Sequence, residues 1–186
     1  MRSRVAFHES VTPQSFTAFC QSQGWRYLGG SSPADTGEPS EHVWLAEDSV
    51  EVHWLSDNVI HRIYAVLLGE ETFRVETRIR IAFESYGIEE AARKFTSATT
   101  WEERVLALSL VAATAPENFY QPTFDSIMAG LNDAHPVVRH QAVLAVFYAS
   151  WPEYVPELRY RSTHDEDEKV RETAAIALDT IAEGGR

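Results

Sequence analysis

The stretch from Asn132 to Ile181 writes one pattern twice, and that duplication limits the fold more than any other feature of the chain. The first copy runs Asn132-Asp133-Ala134-His135-Pro136-Val137-Val138-Arg139, followed by Ala142, Val143, Ala145 and Val146. The second runs His164-Asp165-Glu166-Asp167-Glu168-Lys169-Val170-Arg171, with Ala174, Ala175, Ala177 and Leu178 at the same offsets. Arg139 and Arg171 stand 32 residues apart, a period found in helical-repeat arrays. In each copy an acidic turn precedes Val-Arg, and small residues then recur at i, i+3 and i+4. Ala142, Ala145 and Val146 therefore share one helix face, as do Ala174, Ala177 and Leu178. Small side chains there let neighbouring helices approach closely, which a stacked array requires. A fainter copy lies at Glu103-Arg104, with Ala107, Leu108, Leu110 and Val111. It stands 35 residues ahead of Arg139 and lacks the Val before the Arg.

The run Asp-x-x-Pro-x-Val-Arg-x-x-Ala-x-x-Ala, from Asp133 to Ala145, resembles the HEAT-like repeats of bacterial helical-solenoid proteins. The resemblance covers roughly Trp101 to Ala182. It implies that the turn Asp and the following Arg tie adjacent repeats, so that Asp133, Arg139, Asp165 and Arg171 are structural rather than catalytic. It also brings a second reading, because HEAT-like repeats resemble those of phycobilin lyases, which attach a chromophore. The chain shows no recognisable tetrapyrrole site.

With 186 residues, 44% hydrophobic and 24% charged, the composition is that of an ordinary globular chain. The formal charge of −12 argues against binding a phosphate backbone, which needs clustered cations, and suits a basic protein partner. Cys20 is the only cysteine, so neither an intramolecular disulfide nor a cysteine-based zinc site is available. No segment approaches the about 18 apolar residues of a membrane span, and a cytoplasmic location is expected.

Along the chain, Thr12-Pro13 opens a helix with Phe16, Phe19 and Cys20 on its buried face, and Gly24 closes it. Trp25–Leu28 reads as a short strand. Ser31–Glu41, rich in Ser, Pro, Gly and acid, reads as a loop. Alternation from Val43 to Leu68 predicts strands, with Asp57-Asn58 as a two-residue hairpin turn. Residues 70–84 fit both a strand and a helix, and the helix is preferred. Ser85–Glu90 is expected to form a corner between helices. Thr100-Trp101-Glu102-Glu103 is a capping box, and helices follow from Pro122, Pro136, Trp151-Pro152 and Asp167.

Candidate chemistry is sparse. His42 and His53 lie on strands near Trp44 and Trp54, without a third metal ligand at a recognisable spacing. The acids after His164 lack the Gly turn and distal Glu of a calcium loop, and acid before a helix is expected from the helix dipole. There is no phosphate-binding Gly loop, no Gly-x-Ser-x-Gly elbow and no His-Glu-x-x-His. Aromatics supply what remains, since Phe147, Tyr148, Trp151, Tyr154 and Tyr160 crowd one inter-helix turn beside Glu166 and Glu168. The expectation is an α+β chain: a small antiparallel-sheet domain over residues 1–69, then a short HEAT-like array over 70–186. Its expected role is non-enzymatic, a protein-interaction module for a basic partner, with no cofactor and no metal. Its expected binding residues are Tyr148, Trp151, Tyr154, Tyr160, Glu166 and Glu168.

Overall fold

The computed structural model describes residues 2–31 and 40–184. They form an α+β chain that divides into two compact units, Met1–Gly87 and Ile88–Arg186. Most of the loop expected over Ser31–Glu41 lies outside the described residues.

The first unit contains strands β1 (Arg2–Phe7), β2 (Arg26–Ser31), β3 (Ser40–Leu45), β4 (Glu51–Asp57), β5 (Arg62–Leu68) and β6 (Ser85–Tyr86). They pair antiparallel in the order β2-β3-β4-β5-β1-β6. Two helices accompany the sheet, α1 (Pro13–Ser22) and α2 (Thr72–Ala82). The alternation of each strand sends one set of side chains inward, so Val5, Trp44, Val52, Trp54, Ala65 and Leu67 share a core with Phe16 and Cys20 of α1 and Val75 and Ile79 of α2. Phe83 closes that core against Phe7, Phe16 and Phe19, with ring centroids 5.2–5.8 Å apart. Thr12 caps α1 through a reciprocal pair with Ser15, and Gly24 follows with φ +72°.

Three elements differ from the sequence reading. β1, which the sequence left unassigned, lies between β5 and β6. Ser85-Tyr86 is a strand on β1 and not a helical corner. The β4–β5 hairpin pairs Asp57 with Arg62, so its loop is Asn58–His61 rather than two residues. Asp57 is buried, and its Oδ1 accepts from the Val59 and Ile60 amides (2.8 and 3.2 Å) while Oδ2 accepts from the Tyr64 hydroxyl (2.9 Å). This side-chain cap satisfies a wider turn than the dipeptide signal implies. The ambiguous stretch forms helix α2, which packs on β1 and β5.

The second unit is all helical: α3 (Ile88–Ser97), α4 (Trp101–Thr114), α5 (Gln121–Leu131), α6 (Pro136–Ala149), α7 (Val155–His164) and α8 (Glu168–Gly184). A 3₁₀ turn, Pro152–Tyr154, leads into α7. α4, α6 and α8 are neighbours in one layer, while α3, α5 and α7 pack against α4, α6 and α8 in turn. Thr100 and Glu103 form the expected capping box of α4, with the Thr99 amide also donating to Glu103. Close approach has a visible cause at Gly130, where a Cβ would stand 2.9 Å from both Ala142 Cβ and Leu108 Cδ1.

Candidate functional site

The repeated Asp and Arg residues meet as a series of rungs between α4, α6 and α8. Arg104 of α4 pairs with Asp133, in the turn before α6. Arg139 of α6 pairs with Asp165, in the turn before α8: Nε donates to Oδ2 and Nη2 to Oδ1, both at 2.8 Å. Each Asp also braces its own turn, Asp133 Oδ1 accepting from the His135 amide (2.8 Å) and Asp165 Oδ1 from the Asp167 amide (3.0 Å). Each following Arg then reaches back over that turn. Arg139 Nη1 donates to the carbonyls of Asp133 and Ala134 (3.0 and 3.1 Å), and Arg171 Nη1 to those of Asp165 and Glu166 (2.7 and 3.1 Å).

Burial alone would raise the Asp165 pKa. The Arg139 fork, the Asp167 amide and the Arg139 and Arg161 guanidinium groups outweigh it and hold the carboxyl below its ordinary value. The bond to Asp165 likewise raises Arg139 against its own burial. Every guanidinium nitrogen of Arg139 and both carboxylate oxygens of Asp165 are thus engaged within the array.

Two of the aromatic candidates are packing residues. Trp151 and Tyr154 are 5% and 0% exposed. Trp151 Nε1 donates to the Glu117 carbonyl (3.2 Å), its ring lies 5.1 Å from Phe119, and it stacks on Tyr154 at 5.9 Å. Phe124 lies 5.1 Å from Tyr154, and burial pushes the Tyr154 phenol well above its ordinary value. These rings pack on one another ahead of α7, and Trp151 and Tyr154 are buried there rather than presented at the surface. Tyr148 is half-buried on α6.

The remaining candidates lie on the surface. Tyr160 is 53% exposed and stacks on His164 with centroids 4.8 Å apart and planes within 8°. Two residues past His164 the chain exposes Glu166, and then Glu168; neither makes an ion pair among the described residues. The edge running from α7 into α8 thus carries a flat aromatic patch next to two exposed carboxylates.

The array also holds two adjoining grooves over α3 and α5, of about 630 and 700 Å³, which share Ala92, Thr96 and Pro122. The sheet unit has a groove of about 460 Å³ lined by aromatic rings, including Tyr27 and Trp44. Its His42 faces the Tyr27 hydroxyl (3.2 Å), while His53 is held between Glu41 (2.8 Å) and Glu51 (3.3 Å). Among the described residues no three His, Cys, Asp or Glu side chains are placed to hold a metal ion. Burial pushes the Cys20 thiol up to about 12, which keeps it protonated and unreactive at neutral pH. No helix among the described residues is long and apolar enough to cross a membrane.

Comparison with protein-family models, with curated proteins and with solved structures finds no match.

Proposed function

We propose that this chain is a non-enzymatic protein-binding module built on a HEAT-like helical array, and that it takes a basic partner at the edge joining α7 to α8. One observation carries the reading: Tyr160 and His164 form an exposed stacked pair, and Glu166 and Glu168 follow it without ion-pair partners among the described residues. An exposed aromatic contributes contact area at small entropic cost, and exposed carboxylates attract and orient a cationic surface. The formal charge of −12 extends that attraction over the whole molecule.

The test is affinity capture from extract of the cells that carry the protein, run side by side with wild type and a Tyr160→Ala, Glu166→Gln, Glu168→Gln variant. A protein retained by the wild type and lost by the variant supports the reading. Equal retention by both moves the binding surface elsewhere, and the α3–α5 grooves become the next place to substitute.

A further inference from the structure

Arg171 repeats half of the device that Arg139 completes. On Arg139, Nη1 is fixed by the carbonyls of Asp133 and Ala134, and Nε and Nη2 receive both oxygens of Asp165. On Arg171, Nη1 is fixed in the same way by the carbonyls of Asp165 and Glu166. Its Nε and Nη2 meet no partner among the described residues. A guanidinium is planar, and its Nε–Nη2 edge matches the two oxygens of a carboxylate. The carbonyl bonds hold Arg171 in the geometry that receives a carboxylate on Arg139.

The occupied rung also shows how its carboxylate is delivered. Asp165 directly follows α7, and Arg161, four residues earlier, donates from Nη2 to Asn132 Oδ1 at 2.7 Å. Its Nη1 lies 3.4 Å from Asp165 Oδ2. Asn132 immediately precedes Asp133, and in the next copy His164 holds that place before Asp165. The segment that fills the Arg139 rung therefore brings an acid for the guanidinium and a cation for the turn beside it, whereas Asp133, which fills the Arg104 rung, has Ala129 at that earlier place. Next to Arg171, the place for that cation is bordered by His164 and Glu166, both exposed.

We propose that Arg171 is a docking point for a partner protein that presents a helix end of the form Arg-x-x-x-Asp. The partner's Asp takes the Nε–Nη2 edge of Arg171, and its Arg lies against His164 and Glu166. This rests on the protein-binding reading above and specifies its partner, a carboxylate set behind a cation rather than a uniformly basic segment. Glu166, Asp167 and Glu168 oppose an incoming carboxylate by charge. Glu166 and Asp167 also act on the Arg139 rung, where they favour the guanidinium charge, and the fork there holds the Asp165 carboxyl below its ordinary value against its burial.

The probe is a helix-stapled peptide copying Val155–Asp165, the segment that fills the Arg139 rung, titrated into the full chain and followed at the Arg171 Nε–Hε resonance. The expected result is a saturable shift of that resonance. Binding should weaken about tenfold or more in Arg171→Lys, which keeps a cation for the two carbonyls and removes the planar fork. A peptide with Asn in place of the Asp should lose the same amount. That arm uses the unaltered protein, so it decides the matter even where Arg171→Lys disturbs folding. A peptide that binds equally well with the Asn, or to Arg171→Lys, overturns the rung and leaves the basic-partner reading standing. No saturable shift overturns the rung as well. So does a concentration-dependent dimer that Arg171→Lys abolishes, because a second copy then fills the fork.

Discussion

Arg139 and Asp165 meet fork to fork across 26 residues of chain, with both bonds at 2.8 Å and the Asp165 side chain fully buried. Removing one member of such a pair strands the other charge, which costs about 3–5 kcal/mol. Arg161 remains 3.4 Å from Asp165, so Arg139→Ala is expected near the lower end, about 3 kcal/mol. Denaturant unfolding of Arg139→Ala, Asp165→Ala and the double variant checks this. A coupling below about 0.5 kcal/mol would remove the rung as a source of stability.

The same pair gives a dependence on acid. The folded-state pKa of Asp165 lies below its unfolded value, so its contribution is present in full above the ordinary carboxylate range, about 3.9, and is lost as pH falls through the folded value beneath it. Asp165→Asn should therefore be less stable than wild type at neutral pH and converge with it in strong acid. Thermal melts between neutral pH and about pH 2 read the convergence directly.

His140 acts in a separate window. It lies on α6, with Nε2 3.1 Å from Thr173 Oγ1 of α8. Burial first, and then the Lys169 charge, lower its pKa, with Asp167 opposing. A depressed folded-state pKa means that its contribution is present above about 6.5 and is lost as pH falls, because the unfolded chain takes the proton first. His140→Gln should flatten the stability profile between about pH 7 and pH 5 and leave the acid limb to Asp165. An unchanged slope across that interval would contradict the assignment.

Gly130 sets the spacing of three helices. A methyl group there meets Ala142 Cβ and Leu108 Cδ1 at 2.9 Å, and the Ala142 contact has no rotamer through which to escape. Gly130→Ala should destabilise by about 1–3 kcal/mol, overriding its gain in helix propensity, and Ala142→Gly in the same chain should restore part of the loss. Melting temperatures of the single and double variants test the relation.

The rungs were legible in sequence because their residues recur at fixed offsets within local turns. Asp133, Arg139, Asp165 and Arg171 each carry the side chain their place needs. The sheet was less so. β1 reads Arg-Ser-Arg-Val-Ala-Phe, whose polar first half hides a strand that is defined by pairing with β5 some 60 residues later and with β6 beyond it. The β4–β5 turn depends on the buried carboxylate of Asp57 accepting two amides, a contact that a dipeptide signal does not encode. Trp151 and Tyr154 show the limit on the functional side. Spacing at a helix start does not say which ring faces inward, and their packing partners Phe119 and Phe124 come from a different part of the chain. Tyr160 stays exposed because it sits on α7 on the side away from buried Leu158.

Exposed charge and exposed ring at the α7–α8 edge should be separable by kinetics. Glu166 and Glu168 carry no ion pairs among the described residues, so their field is free to guide a cationic partner before contact. Glu166→Gln with Glu168→Gln should lower the association rate, and the difference from wild type should shrink as salt shortens the screening length to about 8 Å at physiological strength and less beyond. Tyr160→Ala removes contact area instead and should raise the dissociation rate while leaving association nearly unchanged. Tyr148→Ala, at a half-buried position on α6, is expected to lower the melting temperature before it alters binding. The measurement is surface-immobilised binding of the captured partner to each variant over a salt series. An association rate indifferent to both salt and the two glutamates would show that this edge does not steer the encounter, and a dissociation rate unmoved by Tyr160→Ala would take the aromatic patch out of the interface.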